Sequence, residues 1–160
     1  MLEKPPKPEN REIVSAALKL LAMRDMSRVQ FVDKLKKKEF NEHDINAAIV
    51  WCEAEGWLNE PRYAEVAARR LGHKYGASRV AATLRQKGVI DDVVVSTIAA
   101  MKDGEFSRAY SVWARKFDAL PDTTEVRAKQ TRYLQARGFS FAVIKRVLAG
   151  EVDEVELMAE

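Results

Sequence analysis

The chain has 160 residues, with 27 basic and 24 acidic side chains and a formal net charge of +3 at pH 7. Hydrophobic residues make up 47% of it and charged residues 32%, which argues against a disordered chain, and no apolar run approaches the roughly 20 residues of a membrane-spanning helix. The polar, proline-containing N-terminus lacks the apolar core of a signal peptide, and the single cysteine, Cys52, excludes an intrachain disulfide. We therefore expect a cytoplasmic protein.

Helix signals divide the chain into nine segments, and no stretch shows the alternating pattern of a strand. Residues that cap a helix, or an early proline, predict most of the starts, in chain order at Asn10, Ser27, Asn41, Asn59–Pro61, Ser78, Asp91 or Asp92, Thr123 or Thr124, and Ser140. The seventh helix is predicted from an aromatic and apolar stripe made of Phe106, Tyr110, Trp113, Phe117 and Leu120. Turn residues predict the ends of most segments, at Gly56, Gly76, Gly88, Gly104, Pro121, Gly138 and Gly150. The predicted fold class is all-α.

The nine helices form an internal repeat. When Leu35 is aligned with Leu84 and Leu134, at offsets of 49 and 50, the apolar residues that follow fall into register. The matching columns are Ile45, Val94 and Ile144, and then Ile49, Ile98 and Leu148. The sequence therefore predicts three tandem three-helix repeats stacked into an elongated, gently curved rod, which we expect to be monomeric because such a stack leaves no self-complementary edge. The predicted boundaries are a flexible segment at 1–10, repeats at 11–58, 59–104 and 105–150, and an acidic tail at 151–160.

A tight turn is predicted after the second helix of each repeat. Gly88 and Gly138 occupy equivalent positions and suit a left-handed helix C-terminus, where a Cβ is costly. Glu39 stands at the same position in the first repeat. We therefore expect the first turn to differ from the other two.

The charges are unevenly distributed along the chain. Residues 1–60 have a net charge of −1, residues 61–100 of +4 and residues 101–150 of +5, whereas residues 151–160 carry five acids and no base. The body of the chain beyond residue 60 is thus basic, and the acidic tail masks this in the total. A basic body favours an anionic partner such as nucleic acid, although a solvated helix face has a similar composition.

The candidate contact residues are basic side chains of the second and third repeats. On a continuous helix Tyr63, Arg70 and Lys74 would share one stripe, and Tyr63 could stack on bases or pack in the core. Arginine binds phosphate bidentately and lysine acts as a point charge. The full set is Tyr63, Arg69, Arg70, Lys74, Arg79, Arg85, Lys87, Arg127, Lys129, Arg132, Arg137, Lys145 and Arg146.

Catalytic and metal-binding patterns are missing from the sequence. It contains no glycine-rich phosphate loop and no nucleophile with a nearby base, and two histidines with one cysteine are too few for a dedicated zinc site. Cys52 shares a helix face with Ile45 and Ile49, which predicts a buried thiol. We expect a protein with no enzymatic activity, metal or cofactor.

Three runs of residues resemble the RecX family of bacterial recombinase regulators. They are residues 56–64 (GWLNEPRYA), 76–79 (GASR) and 84–89 (LRQKGV), and the resemblance extends over about residues 15–150. Two positions depart from the family pattern: Glu60 replaces the usual aspartate after the Leu–Asn pair, and Glu39 replaces a glycine.

This resemblance implies a non-enzymatic modulator of RecA that acts in DNA recombination, repair and the SOS response. Family members are three tandem three-helix repeats that lie in the groove of the RecA–single-stranded DNA filament and typically inhibit strand exchange, ATP hydrolysis and co-protease action. The expected partners are therefore the RecA filament and single-stranded, or also double-stranded, DNA. The alternative is a helical-repeat protein that binds nucleic acid without RecA.

Overall fold

The computed structural model describes residues 3–152, and all regular structure within that range is helical. The nine α-helices are α1 (Arg11–Met23), α2 (Arg28–Lys37), α3 (Glu42–Ala54), α4 (Glu60–Leu71), α5 (Ala77–Gln86), α6 (Asp91–Met101), α7 (Glu105–Lys116), α8 (Thr124–Ala136) and α9 (Phe141–Leu148). A single 3₁₀ turn, Lys102–Gly104, joins α6 to α7. The all-α prediction and the arrangement in three-helix repeats are confirmed. Within the described range, no helix is long and apolar enough to cross a membrane.

Local capping explains most helix starts. The side chains of Asn10, Asn41, Thr123 and Ser140 accept hydrogen bonds from backbone N–H groups in the first turn, as predicted. Ser27 forms the predicted reciprocal capping box with Gln30. These contacts span only three residues, so they can be read directly from the sequence.

Three predicted helix boundaries are wrong. The fourth helix ends at Leu71 instead of near Gly76, because the Leu71 carbonyl accepts from Lys74 and Tyr75 in a tight turn and the Gly76 N–H bonds to the Arg137 carbonyl of the third repeat, 2.7 Å away. Lys74 therefore lies beyond the helix and does not continue the predicted stripe with Tyr63 and Arg70.

The other two corrections concern α6 and α7. Ile90, not Asp91 or Asp92, immediately precedes α6, and its carbonyl accepts from the N–H of Val94. Helix α7 ends at Lys116, well before Pro121, because Phe117 adopts an extended conformation (φ −121°, ψ 140°) and packs edge-on against Tyr133.

The three second-helix turns have the same geometry, so the prediction that the first turn differs is wrong. Glu39, Gly88 and Gly138 all have positive φ angles, of 67°, 83° and 93°. In each turn the backbone N–H of this residue donates to the carbonyl three residues earlier. The N–H of the next residue donates to the carbonyl of the buried leucine of that repeat. Those leucines are Leu35, Leu84 and Leu134, each with 0% exposed surface.

The described chain divides into two compact units. Unit 1 comprises the chain up to Val66 together with Leu84–Val94, and unit 2 comprises Ala67–Thr83 and the chain from Val95 onward, so the middle repeat contributes to both. Fully buried residues at the centre of unit 1 include Ile13, Ala17, Phe31, Leu35, Ala48 and Cys52. The core of unit 2 is formed by Phe106, Ala109, Val112, Trp113, Leu134, Ile144, Val147 and their neighbours.

Candidate nucleic-acid interface

The two units differ sharply in charge. The described part of unit 1 has 13 basic and 14 acidic side chains, a net charge of −1. The described part of unit 2 has 14 basic and 6 acidic side chains, a net charge of +8. Any electrostatic contact with a polyanion is therefore expected on unit 2.

Four basic side chains of unit 2 meet at a cleft of about 350 Å³. Lys74 and Tyr75 reach it from the turn after α4, Arg115 and Lys116 from the end of α7, and the side chains of α8 and its C-cap complete it. We call it the basic–aromatic cleft, and define it by Lys74, Tyr75, Arg115, Lys116, Tyr133 and Arg137, with Arg79 stacked on Tyr75.

Cations and tyrosine rings alternate along the basic–aromatic cleft. The guanidinium carbon of Arg79 lies 4.2 Å from the centre of the Tyr75 ring, and that of Arg137 lies 4.7 Å from the centre of the Tyr133 ring and 5.8 Å from Tyr75. The Lys116 ammonium lies 5.7 Å from the Tyr133 ring centre. Such contacts contribute about 0.5–1 kcal/mol each at exposed sites. They hold the cations in place without neutralising them.

Backbone carbonyls orient the three arginines further. Arg79 Nη1 donates to the Ala136 carbonyl (3.2 Å), Arg137 Nη1 to the Lys74 carbonyl (3.4 Å) and Arg115 Nη2 to the His73 carbonyl. Among the residues that the structure describes, no aspartate or glutamate lines this cleft. The cleft thus concentrates positive charge beside two aromatic rings. This combination suits a phosphate backbone with unstacked bases.

Of the predicted contact residues, Lys74, Arg79 and Arg137 meet at the basic–aromatic cleft. The remaining ones of unit 2 are exposed on α4, α8 and α9, and they are Arg69, Arg70, Arg127, Lys129, Arg132, Lys145 and Arg146. Arg146 is paired with Glu151 at 2.7 Å and stacked over Phe106.

Three predicted contact residues belong to unit 1. Arg85 forms an ion pair with Asp91, 3.1 Å away, which partly offsets its charge. Lys87 is exposed, and its carbonyl accepts from the Ser27 hydroxyl at 2.7 Å. Tyr63 is half-buried on α4.

The predicted set of contact residues omits four members of the cleft: Tyr75, Arg115, Lys116 and Tyr133. Tyr75 directly follows the predicted contact Lys74, and Arg115–Lys116 is a basic pair in the last turn of α7. These were available signals. The sequence contains no sign that these residues lie close together, because Tyr75 and Tyr133 are 58 positions apart in the chain.

Comparison with known proteins identifies the family of this fold. A family model of the first three-helix domain of RecX matches residues 15–52, and a model of the third three-helix domain matches residues 103–148. The "Regulatory protein RecX" of Ralstonia nicotianae is 35% identical over 134 residues, which cover 84% of each chain. The chain belongs to the RecX family.

Further relatives extend the match to nearly the whole sequence. The "Regulatory protein RecX" of Chromobacterium violaceum is 33% identical to this RecX-family chain over 146 residues, or 91% of this chain and 95% of the relative. Among solved structures, RecX from Lactobacillus salivarius superposes with a TM-score of 0.76 at 20% identity and covers 85% of this chain and 92% of its own. The likeness to a solved structure supports the fold, and the relatives identified by sequence support a regulatory role.

Proposed function

We propose that this RecX-family chain is a non-enzymatic regulator, and typically an inhibitor, of the RecA recombinase. It binds in the groove of the RecA–single-stranded DNA filament and modulates ATP hydrolysis, strand exchange and co-protease activity. Membership of the RecX family supports the choice of RecA as the target. The basic–aromatic cleft is the observation that supports contact with an anionic filament.

The physical argument for the filament contact rests on charge and stacking. Lysine and arginine side chains release counterions when they neutralise phosphates, and this supplies much of the affinity for nucleic acid. A tyrosine ring can stack on any unpaired base, worth about 1–3 kcal/mol per base. Lys74, Lys116 and Arg137 surround Tyr133 and Tyr75 in this way.

The test is the rate of ATP hydrolysis by RecA on single-stranded DNA when the full chain is added at substoichiometric amounts. We expect hydrolysis to fall, and the double variant Lys74→Glu/Lys116→Glu to have a much weaker effect because it reverses two charges of the cleft. The matched control, Lys36→Glu/Lys37→Glu, makes the same charge change on exposed residues of α2 in unit 1 and should act as the unmodified chain does.

Two results would contradict the proposal. Hydrolysis that is unchanged at every ratio of the unmodified chain to RecA would exclude RecA regulation. If the chain then still bound free single-stranded DNA, it would be a nucleic-acid-binding repeat protein that acts without RecA. Equal loss of effect in both double variants would place the contact outside the basic–aromatic cleft.

A further inference from the structure

Arg108 of α7 has an incompletely paired guanidinium group. Its Nη2 atom donates to the Met101 carbonyl at the end of α6, whereas its buried Nε atom has no hydrogen-bond partner within the described residues. Burial lowers the pKa of Arg108, and the nearby Glu105 carboxylate offsets this only in part. A buried N–H without a partner is energetically costly, so such a group calls for an explanation.

Two glycines leave the space that Arg108 occupies. A Cβ at Gly72 would lie 3.2 Å from Arg108 Cδ, and a Cβ at Gly104 would lie 2.6 Å from its Nη1. Any other residue at position 104 would thus displace the guanidinium group. Arg108 is positioned by its surroundings and is not simply a solvated arginine on a helix face.

An open surface cavity of about 600 Å³, whose lining residues other than Arg108 are exposed to solvent, adjoins this arginine within unit 2. Ser107, Arg108, Ser111 and Arg115 line it from successive turns of α7, and His73 lines it from the turn after α4. No carboxylate is among the described residues that line the cavity. Two arginines and two serines thus line one space, and Arg115 is held there by donating from Nε to the Ser111 carbonyl (3.3 Å) and from Nη2 to the His73 carbonyl.

We propose that this cavity, the Arg108 pocket, is a phosphate-binding site. Arg108 and Arg115 supply the positive charge, and the hydroxyls of Ser107 and Ser111 supply neutral donors. Guanidinium groups match the oxygen geometry of phosphate and bind it through paired N–H donors. Arg115 also lines the basic–aromatic cleft, so both sites contact one arginine.

The phosphate could come from two sources. One is a diester of the DNA backbone that continues from the basic–aromatic cleft, and this version rests on the proposed function. The other is a phosphate monoester, either free or at the 5′ end of a strand. Both present the anionic oxygens that the pocket recognises.

The experiment follows the side-chain Nε–H signal of Arg108 in the ¹⁵N-labelled full chain. The probes are inorganic phosphate, a thymidine oligonucleotide with a 5′ phosphate and the same oligonucleotide without it, with sodium chloride at equal ionic strength as the control. We expect a saturable shift with inorganic phosphate and none with chloride. A shift with all three probes indicates the diester, and a shift that requires the monoester indicates the second source.

A matched pair of variants tests the location. Ser111→Glu places a carboxylate in the Arg108 pocket and should abolish the shift, whereas Ser96→Glu makes the same charge change on an exposed residue of α6 and should retain it. Neither substitution removes a partner of the hydrogen bond from Arg108 to the Met101 carbonyl. Circular dichroism checks that both variants fold. No saturable shift, or an equal shift in both variants, would overturn the inference.

The outcome is separable from that of the proposed function. Phosphate binding is measured without RecA, and ATP hydrolysis is measured with it. If RecA is inhibited but phosphate leaves Arg108 unaffected, only the pocket fails. If phosphate binds but RecA is unaffected, the pocket stands and the proposed function fails.

Discussion

Residue 39 adopts a left-handed backbone conformation without being a glycine. Its equivalents, Gly88 and Gly138, are also packed closely against another helix, whereas Glu39 is exposed. A Cβ at Gly88 would lie 2.6 Å from Val29 Cβ, and one at Gly138 would lie 2.7 Å from Arg79 Cβ, both on the second helix of the preceding repeat. Position 39 is exposed, so its side chain extends into solvent. This difference explains why glutamate is tolerated there.

Replacing Glu39 by glycine should therefore stabilise the protein. The left-handed conformation costs a non-glycine residue about 1–2 kcal/mol, and glycine's greater freedom in the unfolded chain returns part of this. We expect urea unfolding to show a gain of about 0.5–1 kcal/mol for Glu39→Gly. Glu39→Ala should be nearly neutral, because it keeps the strained conformation. Gly88→Ala should lose more than about 2 kcal/mol, because it adds both strain and a steric clash. A loss of stability in Glu39→Gly would contradict this account.

Cys52 is the other residue whose surroundings predict a measurable property. It has no exposed surface, and burial, followed by the charge of Glu53, raises its pKa from 9.0 to about 11. The prediction that Cys52 is buried is confirmed. Its thiol should be inert toward thiol reagents at neutral pH in the folded protein, since the thiolate is the reactive form.

The same pKa shift predicts a dependence of stability on pH. Between pH 9 and 11 the unfolded thiol loses its proton while the folded one retains it, so unfolding becomes more favourable as pH rises. The contribution is fully present below pH 9, and up to about 2–3 kcal/mol is lost by pH 11. Urea midpoints of the unmodified chain should thus fall more steeply over this range than those of Cys52→Ala. Parallel slopes for the two proteins would contradict the prediction.

At the scale of helices, carboxylates at the starts of α4 and α7 link neighbouring elements. Glu60, the first residue of α4, accepts from the N–H of Arg28 at 2.9 Å through one oxygen and from the N–H of Ile90 at 3.2 Å through the other. Glu105, the first residue of α7, accepts from the N–H of Ser140 at 3.3 Å. Ile90 and Ser140 are equivalent positions, so the contact is repeated. Glu60 thus supplies an acceptor to the N-termini of α2 and α6 together.

Removing this acceptor should destabilise unit 1. Glu60→Ala leaves two helix N-termini with one fewer acceptor each, and we expect a loss of about 1–2 kcal/mol in thermal or urea unfolding. Glu60→Gln keeps a single acceptor oxygen and should lose about half as much. The control Asp92→Ala removes an exposed acid in the first turn of α6 and should cost less than about 0.5 kcal/mol. Equal losses for Glu60→Ala and Asp92→Ala would exclude a capping role.

Over the whole molecule, charge is divided between the units, at −1 for the described part of unit 1 and +8 for that of unit 2. Each phosphate contact that is lost should reduce the slope of log K against log salt concentration by about 0.7 for binding to single strands. Reversing Arg69, Arg70 and Lys74 together to glutamate should therefore weaken binding to the filament and reduce this slope by about 2. The control is the same reversal of Lys36, Lys37 and Lys38, whose charges Asp33 and Glu39 already offset. The prediction fails if the control loses more binding while both variants remain folded.

The acidic tail gives the last prediction. Residues 153–160 lie outside the described residues, so the predicted tail at 151–160 is described only at its start, where Glu151 pairs with Arg146. Truncation after Gly150 removes five negative charges and releases Arg146, so the affinity for single-stranded DNA should rise, most at low salt where charges are least screened. Titrations of both chains at two ionic strengths measure this. Equal affinities at low salt would leave the tail without this role.

The sequence by itself determined the features that depend on near neighbours. The caps at Asn10, Ser27 and Ser140 and the glycine turns each involve residues within about five positions, so their chemistry is visible in the printed order. The internal repeat also follows from the spacing of Leu35, Leu84 and Leu134, and the family from short runs of residues. The excess of basic residues beyond residue 60 indicated which part of the chain carries the positive surface.

Tertiary structure alone decided where distant residues meet. Helix α4 stops at Leu71 because the Gly76 N–H bonds to a carbonyl 61 positions away, and α6 starts with the help of Glu60. The basic–aromatic cleft joins the turn after α4 to α7 and α8, and the Arg108 pocket adjoins it. Periodicity reports which face of a helix is buried, but not which other helix covers it. The set of cations that lie together is therefore a property of the folded chain, because packing, not sequence distance, brings them within reach of one ligand.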